Sequence, residues 1–443
     1  MPRRFWIETL GCPKNQVDSD KLVGTLLADG YTPAVSPGQA DVVVVNTCAF
    51  IEEARQESID VILQLADARK AGAEVVVTGC LAQRHGAELA AAMPEVSVRG
   101  FGLAVTPHDH DHDHDHDHDH DHDRPAPRGA LTGTPVVIGR KVPVPSFDLL
   151  NLPRPRSPRP WAYVKIAEGC DRACGFCAIP SFRGPQRSRT IDSILREVDE
   201  LDVREVVLVA QDLASYGRDQ GKGTKSLVPL VRAVTARVAR VRLLYLYPSE
   251  LTDTLIDTIC DTGVPYFDLS LQHVSASHLR RMKRWGDGAK FLARMATIRA
   301  REPEAAFRSN FIVGYPGETE ADHDQLLAFV EQAQLDWCGF FSYSQEAGTY
   351  AATRTDRIDP ELVADRLLEL REMQDSITEH KRDEMLDCVV EVLVDEPGVG
   401  RSHREAPEID GVITIPMDLR AGTFARVRIV EALGPDLVGE AVE

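Results

Sequence analysis

The chain has 443 residues, 43% of them apolar, and a formal net charge of −19. That length suggests roughly three domains at about 150 residues each, with enough apolar content for sizeable cores. The acidic balance excludes a broad phosphate-tracking surface, which needs clustered Lys and Arg, and suits a basic partner.

No apolar run reaches the ~18 residues of a membrane span, and Glu8 and Gly11 interrupt the first residues before any leader-like stretch. The expectation is a cytoplasmic protein with no membrane partner. In such a reducing compartment its nine cysteines are metal ligands or buried thiols rather than disulfides.

Residues 3–105 read as a parallel α/β domain of flavodoxin- or Rossmann-like type. Phe5 to Leu10 is a strand that ends at Gly11-Cys12, and Asp18 to Ala28 has helical spacing and stops at Gly30. Asp41 to Cys48 and Glu74 to Cys80 are strands apolar on both faces, each followed by a helix, Glu52 to Ala66 and Ala82 to Met93. Cys12, Cys48 and Cys80 therefore each fall at the C-terminal end of a parallel strand, the edge where open α/β sheets bind ligands. Any one of them alone reads as a buried thiol. Three on one rim read as ligands of a single iron–sulfur cluster with one iron left open.

Residues 106–155 depart from globular composition. His108 to Asp123 is an unbroken His-Asp alternation, which accounts for eight of the negative charges. Its low hydrophobicity forbids a packed core, so a solvated, disordered insert is expected. Its imidazoles and carboxylates could collect divalent metal, although a tolerated surface repeat is the plainer reading. Leu152 to Pro160 is a proline-stiffened linker.

A second domain, residues 156–376, opens with the strand Tyr163 to Ile166 and then Cys170, Cys174 and Cys177 at C-x3-C-x2-C spacing. A closed zinc site would bring a fourth Cys or His, and none stands within twenty residues on either side. Three thiolates without a local fourth suit a 4Fe-4S cube whose fourth iron is open. Gly169 and Gly175 allow the backbone to curl around it. Further strands at 205–210, 241–245, 266–271, 307–313 and 337–342 alternate with helices, giving a partial or complete (β/α) barrel with its chemistry at the C-terminal strand ends. Gln211-Asp212, Ser215-Tyr216, Gln272-His273 and Gly314 to Thr319 lie at those ends, while Arg308 and Asn310 share one strand face. Glu197 and Arg308 read equally as structural hydrogen-bonders or as contacts for the amino and carboxylate groups of a bound amino-acid moiety, and Gln211, Asn310 and Gly314 carry the same two readings. His273 reads as a general base or as a satisfied barrel histidine.

Helix continues from Pro360 to about Lys381. Residues 377–443 then read as a small antiparallel β-barrel with strands at 389–394, 411–416 and 423–430. They hold fifteen Asp plus Glu against seven Lys plus Arg, so no RNA tracking is expected of them. Cys260, Cys338 and Cys388 stand alone and read as buried thiols.

The segment Ala167 to Pro180 resembles the cluster loop of the radical S-adenosylmethionine (SAM) enzymes. That resemblance implies an open (β/α) barrel whose cluster chelates SAM and cleaves it reductively. Gly11-Cys12-Pro13-Lys14-Asn15, Asn46-Thr47-Cys48-Ala49-Phe50 and Thr78-Gly79-Cys80-Leu81-Ala82-Gln83-Arg84 look like the three cysteine motifs of the radical SAM methylthiotransferase family, whose members end in a TRAM module. The resemblance covers nearly the whole chain. It implies two 4Fe-4S clusters, one on Cys170, Cys174 and Cys177 with SAM and one on Cys12, Cys48 and Cys80 carrying the sulfur, together with an unidentified electron donor.

Cys170 to Phe182, Gln211-Asp212 with Ser215-Tyr216-Gly217, and Glu405 to Gly411 are similar to the group of the family that modifies the β-carbon of an aspartate in small-subunit ribosomal protein S twelve. The tRNA-adenosine group carries Asn where Asp171 stands and Gln-Asn where Gln211-Asp212 stands. A basic ribosomal protein also matches the acidic C-terminal module, with Glu405, Glu408 and Asp410 expected at its surface. A non-catalytic metal-storage protein is the alternative from another class, and it leaves the strand-end cysteines and the barrel unexplained.

Overall fold

The computed structural model describes residues 2–101, 148–221 and 227–442. The His-Asp tract, with residues 106–147 of the insert expected over 106–155, lies outside the described residues. Residues 148–155 are described and tied to the core, with Lys21 Nζ donating to Leu150 O (2.5 Å) and Arg154 pairing with Glu197 (2.9 Å).

The first sheet is parallel throughout. Its central strands β1 (Arg4–Thr9), β2 (Val42–Thr47) and β3 (Glu74–Gly79) are flanked by two-residue edge strands, Thr32–Pro33 and Ser97–Val98. The valines of β2 are fully buried, as strands covered on both faces require. Register aligns the strand ends: Thr9 is opposite Asn46, and Thr47 is opposite Gly79. Cys48 and Cys80, each the next residue, thus emerge side by side. Helices α1 (Pro13–Ala28), α2 (Glu52–Ala68) and α3 (Cys80–Ala92) follow the three central strands, and α1 and α3 start earlier than the apolar spacing indicates. In α1 the cause is Pro13, whose fixed φ and missing N–H suit the first helical position and make Cys12 the N-cap.

The second domain is an open array of six parallel strands. Strands β4 (Trp161–Lys165), β5 (Glu205–Val209) and β6 (Arg240–Leu243) form one sheet; β7 (Tyr266–Gln272), β8 (Ala306–Val313) and β9 (Trp337–Ser342) form another. A bridge between Leu246 and Leu269 joins them, with Leu246 N–H donating to Asp268 O at 2.9 Å. The helix Pro360–Asp383 packs along β9 and runs unbroken across the boundary expected at 376/377.

Five strands close the C-terminal barrel in the order Val389–Glu396, Val399–Arg401, Ile413–Thr414, Asp436–Ala441, Phe424–Leu433. One pairing, Ile413–Thr414 with Asp436–Ala441, is parallel. The segment that follows Arg401 does not stay on this small barrel. It plugs the N-terminal mouth of the larger one. Tyr163 Oη donates to Pro407 O (2.7 Å), Trp337 Nε1 to Arg404 O (2.6 Å), Arg242 to His403 O (2.9 Å) and Tyr266 Oη to Asp410 Oδ2 (2.6 Å). Two acids expected at the surface are therefore interior. Glu405 is fully buried against Arg382 (2.7 Å), and burial pushes Asp410 up to about 6 although Arg308 lies 3.4 Å away. Glu408 alone of the three is exposed, paired with Arg159.

Glu205 anchors the plug, taking Arg242 at 2.9 Å and Arg401 at 3.1 Å with all three side chains buried. Burial opposes its charge, but Arg401 and Arg242 hold its pKa down at about 2. Glu205→Ala should cost about 3–5 kcal/mol, because two guanidinium groups lose their buried counter-charge. A depressed carboxyl pKa contributes stability that is full above the unfolded value of about 4.3 and is lost as pH falls through the folded value. The stability gap between wild type and Glu205→Gln, followed by thermal unfolding, should therefore close as pH falls from about 5 towards 2.

Candidate functional site

The three N-terminal thiols are gathered by two asparagines. Asn15 Nδ2 donates to Leu10 O (2.9 Å) and Thr47 O (3.0 Å), and Asn46 Nδ2 to Asn15 O (2.9 Å) and Ser19 Oγ (3.0 Å). Gly11 has φ +91°, and a Cβ there would sit 2.8 Å from Cys48 Sγ, so this loop closes on its neighbour only with glycine. Burial raises all three thiols, and the cations around them decide the outcome. Cys12 ends below the ordinary thiol value because Lys14 and Arg183 outweigh burial. Cys48 is pushed up to about 12, by burial and then by Cys12 and Cys80, and Cys80 is raised despite Arg183.

The second triad sits in the loop after β4. Gly169 takes φ +80°, and a Cβ would meet Pro185 O at 2.2 Å. Gly175 needs no positive φ. What it lacks is room, since a Cβ would come within 2.9 Å of Arg281 O and 3.0 Å of Tyr315 Oη. Two donors face the sulfurs: Arg172 N–H of the loop itself to Cys170 Sγ at 3.4 Å, and Arg284 from a later segment to Cys174 Sγ at 3.6 Å. Burial raises Cys170 to about 11 and Cys177 to about 12.

Neither triad has the spacing of a single ion. Among the described residues, the group whose ligand atoms all lie within 4.8 Å of one another is His273, His278 and Glu318, not the cysteines. A tetrahedral zinc with bonds of about 2.3 Å would draw its sulfurs to roughly 3.8 Å apart. Wider all-sulfur sites with no fourth protein ligand fit an iron–sulfur cube with one open iron. The histidine group is a poorer metal site. Nδ1 of His273 accepts from Ser275 N–H (3.1 Å) and Nδ1 of His278 from Arg281 (2.5 Å), which leaves the ring protons on Nε2. Burial first, and then cationic neighbours, hold their pKa values at about 3 and about 4, so His273 is a buried neutral imidazole.

Arg183 links the two triads. It stands on the short helix Ile179–Arg183 that follows Cys177, yet its Nη2 donates to Cys80 Sγ (3.0 Å) and Asn15 Oδ1 (2.8 Å). Its Nη1 is held by Glu168 (2.9 Å), two residues before Cys170, and by Asp18 (3.3 Å). Lys165 completes the group against Asp18 and Glu168, and Gln211 Nε2 donates to Glu168 Oε1 at 2.8 Å. On another side of the joint Glu346 accepts Arg55 (2.9 Å) and Arg84 from the first domain. Sequence spacing gave no sign of Arg183 or Glu346, because Asn15, Cys80, Arg55 and Arg84 are distant from them in the chain. Glu168, although near Lys165 and Arg183 in sequence, has no motif that marks it.

Two residues singled out for an amino-acid ligand are already engaged. Glu197 is ringed by Arg189 (2.5 Å), Arg154 (2.9 Å) and Lys21 (3.5 Å). Arg308 lies between Asp268 (3.3 Å) and Asp410 (3.4 Å). Both serve as internal counter-ions, not as free ligand contacts. Asn310 is half-buried two residues beyond Arg308 on the same strand. Gly314, at φ +79°, donates its N–H to Glu318 (2.7 Å) and is packed where a Cβ would strike Val363. Asp212 and Ser215 both hold Arg172. Of the three lone cysteines, Cys388 is exposed rather than buried, while Cys260 and Cys338 are intermediate.

Family models match three stretches: residues 4–100 the uncharacterized protein family UPF0004, 164–330 the radical SAM superfamily, and 384–442 the TRAM domain. The ribosomal protein uS12 methylthiotransferase RimO of Kineococcus radiotolerans is 40% identical over 474 residues, covering 99% of this chain and 97% of its own length. The proteins of that name from Streptomyces coelicolor and a Roseiflexus species are 40% and 38% identical, covering 99% of this chain and 96% and 97% of theirs.

Thiol reactivity checks the electrostatics. In metal-free protein at about pH 8, Cys12 should alkylate well ahead of Cys48, since the thiolate is the reacting form. Arg183→Met should slow Cys12 relative to exposed Cys388, measured by peptide mass spectrometry. Equal rates for Cys12 and Cys48 would contradict the assigned order.

Proposed function

The chain belongs to the family of ribosomal protein uS12 methylthiotransferases, and from that membership we propose that it replaces a β-hydrogen of an aspartate in uS12 by a methylthio group. The observation that carries this reading is the pair of three-thiol sites, neither with a fourth protein ligand among the described residues, joined through Arg183.

In this reading Cys170, Cys174 and Cys177 hold the 4Fe-4S cluster that binds SAM, and Cys12, Cys48 and Cys80 hold a second. When bound, these groups supply hydrogen abstraction from an unactivated C–H bond and the methylated sulfur that takes its place. The chain's part is orientation and charge. Arg172 N–H, Arg284 and Arg183 donate to ligand sulfurs and offset their negative charge. Thiols held near 12 give up their protons only on metal loading, so cluster assembly releases protons and is favoured by rising pH. The plug of residues 402–410 closes the N-terminal mouth of the barrel, leaving substrate to enter at the strand C-termini beside the thiols.

Substrate charge agrees with this. A chain of net charge −19 suits a basic ribosomal protein and not the backbone of a tRNA. None of the helices among the described residues is long and apolar enough to cross a membrane. In this reading the electrons come from a separate donor.

Anaerobically reconstituted protein should carry about eight iron per chain, two cubes of four. Cys12→Ala, Cys48→Ala and Cys80→Ala together should halve that, and retention of all the iron would remove the second cluster. With SAM, reductant and sulfide, uS12 should gain one methylthio group on an aspartate by mass spectrometry. Methylthiolated adenosine in tRNA, with uS12 unchanged, would overturn the reading.

A further inference from the structure

Starting α1 at Pro13 places Lys14 in the first helical turn, two residues from Cys12, with its side chain reaching the barrel. Its Nζ lies 3.4 Å from the centroid of the Tyr245 ring. Tyr245 follows β6 with φ +64°, a left-handed conformation that a bulky side chain adopts only when its surroundings enforce it. Here the Tyr245 N–H is tied to Asp268 Oδ2 at 2.9 Å. The strain is spent on aiming one aromatic face at one ammonium.

The other cations near the two triads are matched. Lys165 has Asp18 and Glu168, Arg183 has Glu168, Arg172 has Asp212, and Arg308 has Asp268. Arg284 spends its nitrogens on Ser270 O and Cys174 Sγ. Lys14 differs: its charge helps lower the Cys12 thiol, but among the described residues its side chain has neither a carboxylate ion pair nor a hydrogen-bond acceptor, and it is half-buried. A ring face holds an ammonium in place without using its N–H donors. A partly desolvated cation with free donors is a receptor for an anion. The anion that must come to this spot is the substrate's, because the modified β-carbon is bonded directly to the side-chain carboxylate.

Resting on the functional reading above, we propose that Lys14, seated on Tyr245, binds the side-chain carboxylate of the substrate aspartate and determines that the enzyme accepts Asp and rejects Asn. Anchoring the carboxylate there fixes the adjacent β-carbon beside Cys12.

The test uses reconstituted holoenzyme and two peptides spanning the modified position of uS12, one with Asp and one with Asn, with affinity read by fluorescence anisotropy. Wild type should bind the Asp peptide about tenfold or more tightly than the Asn peptide, the loss expected for one charge-assisted contact. Lys14→Met should bring that ratio near one, with the loss falling on the Asp peptide, and Lys14→Arg should restore most of it. Iron content and circular dichroism guard against a folding effect. Wild type that modifies uS12 yet binds both peptides equally overturns the assignment, whatever the variants do. So does Lys14→Met with the wild-type ratio. Wild type that neither binds nor modifies uS12 would instead defeat the functional reading on which the proposal rests.

Discussion

Two cations, Lys165 and Arg183, and two carboxylates, Asp18 and Glu168, are packed together where the first sheet meets the barrel. Burial works against each of these charges, and the network stands because each is hydrogen-bonded to an opposite partner. Removing one member of such a group typically costs about 3–5 kcal/mol, whereas exchanging the whole set for apolar residues often costs nothing. Its value lies in geometry. Asp18 belongs to α1, whose N-cap is Cys12, and Glu168 precedes Cys170 by two residues. The network therefore sets how one thiol triad faces the other, and Arg183 carries that constraint to Cys80.

The sequence made the cysteine sites legible through short-range pattern. Continuous apolar runs marked β2 and β3 as strands buried on both faces, and a cysteine at the end of each then pointed to one rim. Apolar spacing predicts helix α1 from Asp18. The structure starts it at Pro13, where proline chemistry and not hydrophobicity decides. That difference of five residues matters, since it turns Lys14 from a loop residue into a helical one.

Charged residues were legible by type and not by partner. Glu197 and Arg308 have the chemistry to hold an amino acid, but cations from α1 and the linker, and an acid from the C-terminal plug, reach them first. Glu405 and Asp410 lie among turn residues and so read as solvated. They are buried because the segment carrying them enters another domain's barrel. Pairings across more than a hundred residues leave no trace in composition or periodicity.

That plug changes what counts as a module in this protein. By sequence the last sixty or so residues are a separable unit, with their own strands and their own apolar core. Energetically, part of the larger barrel's interior is supplied by them: Ala406 packs among Trp161, Tyr163, Tyr266 and Trp337, and Arg401 neutralises Glu205. Exchange of the C-terminal unit between relatives, by recombination or by design, would succeed only if the barrel mouth travelled with it, and substitutions at positions 205, 242 and 401 should drift together rather than independently.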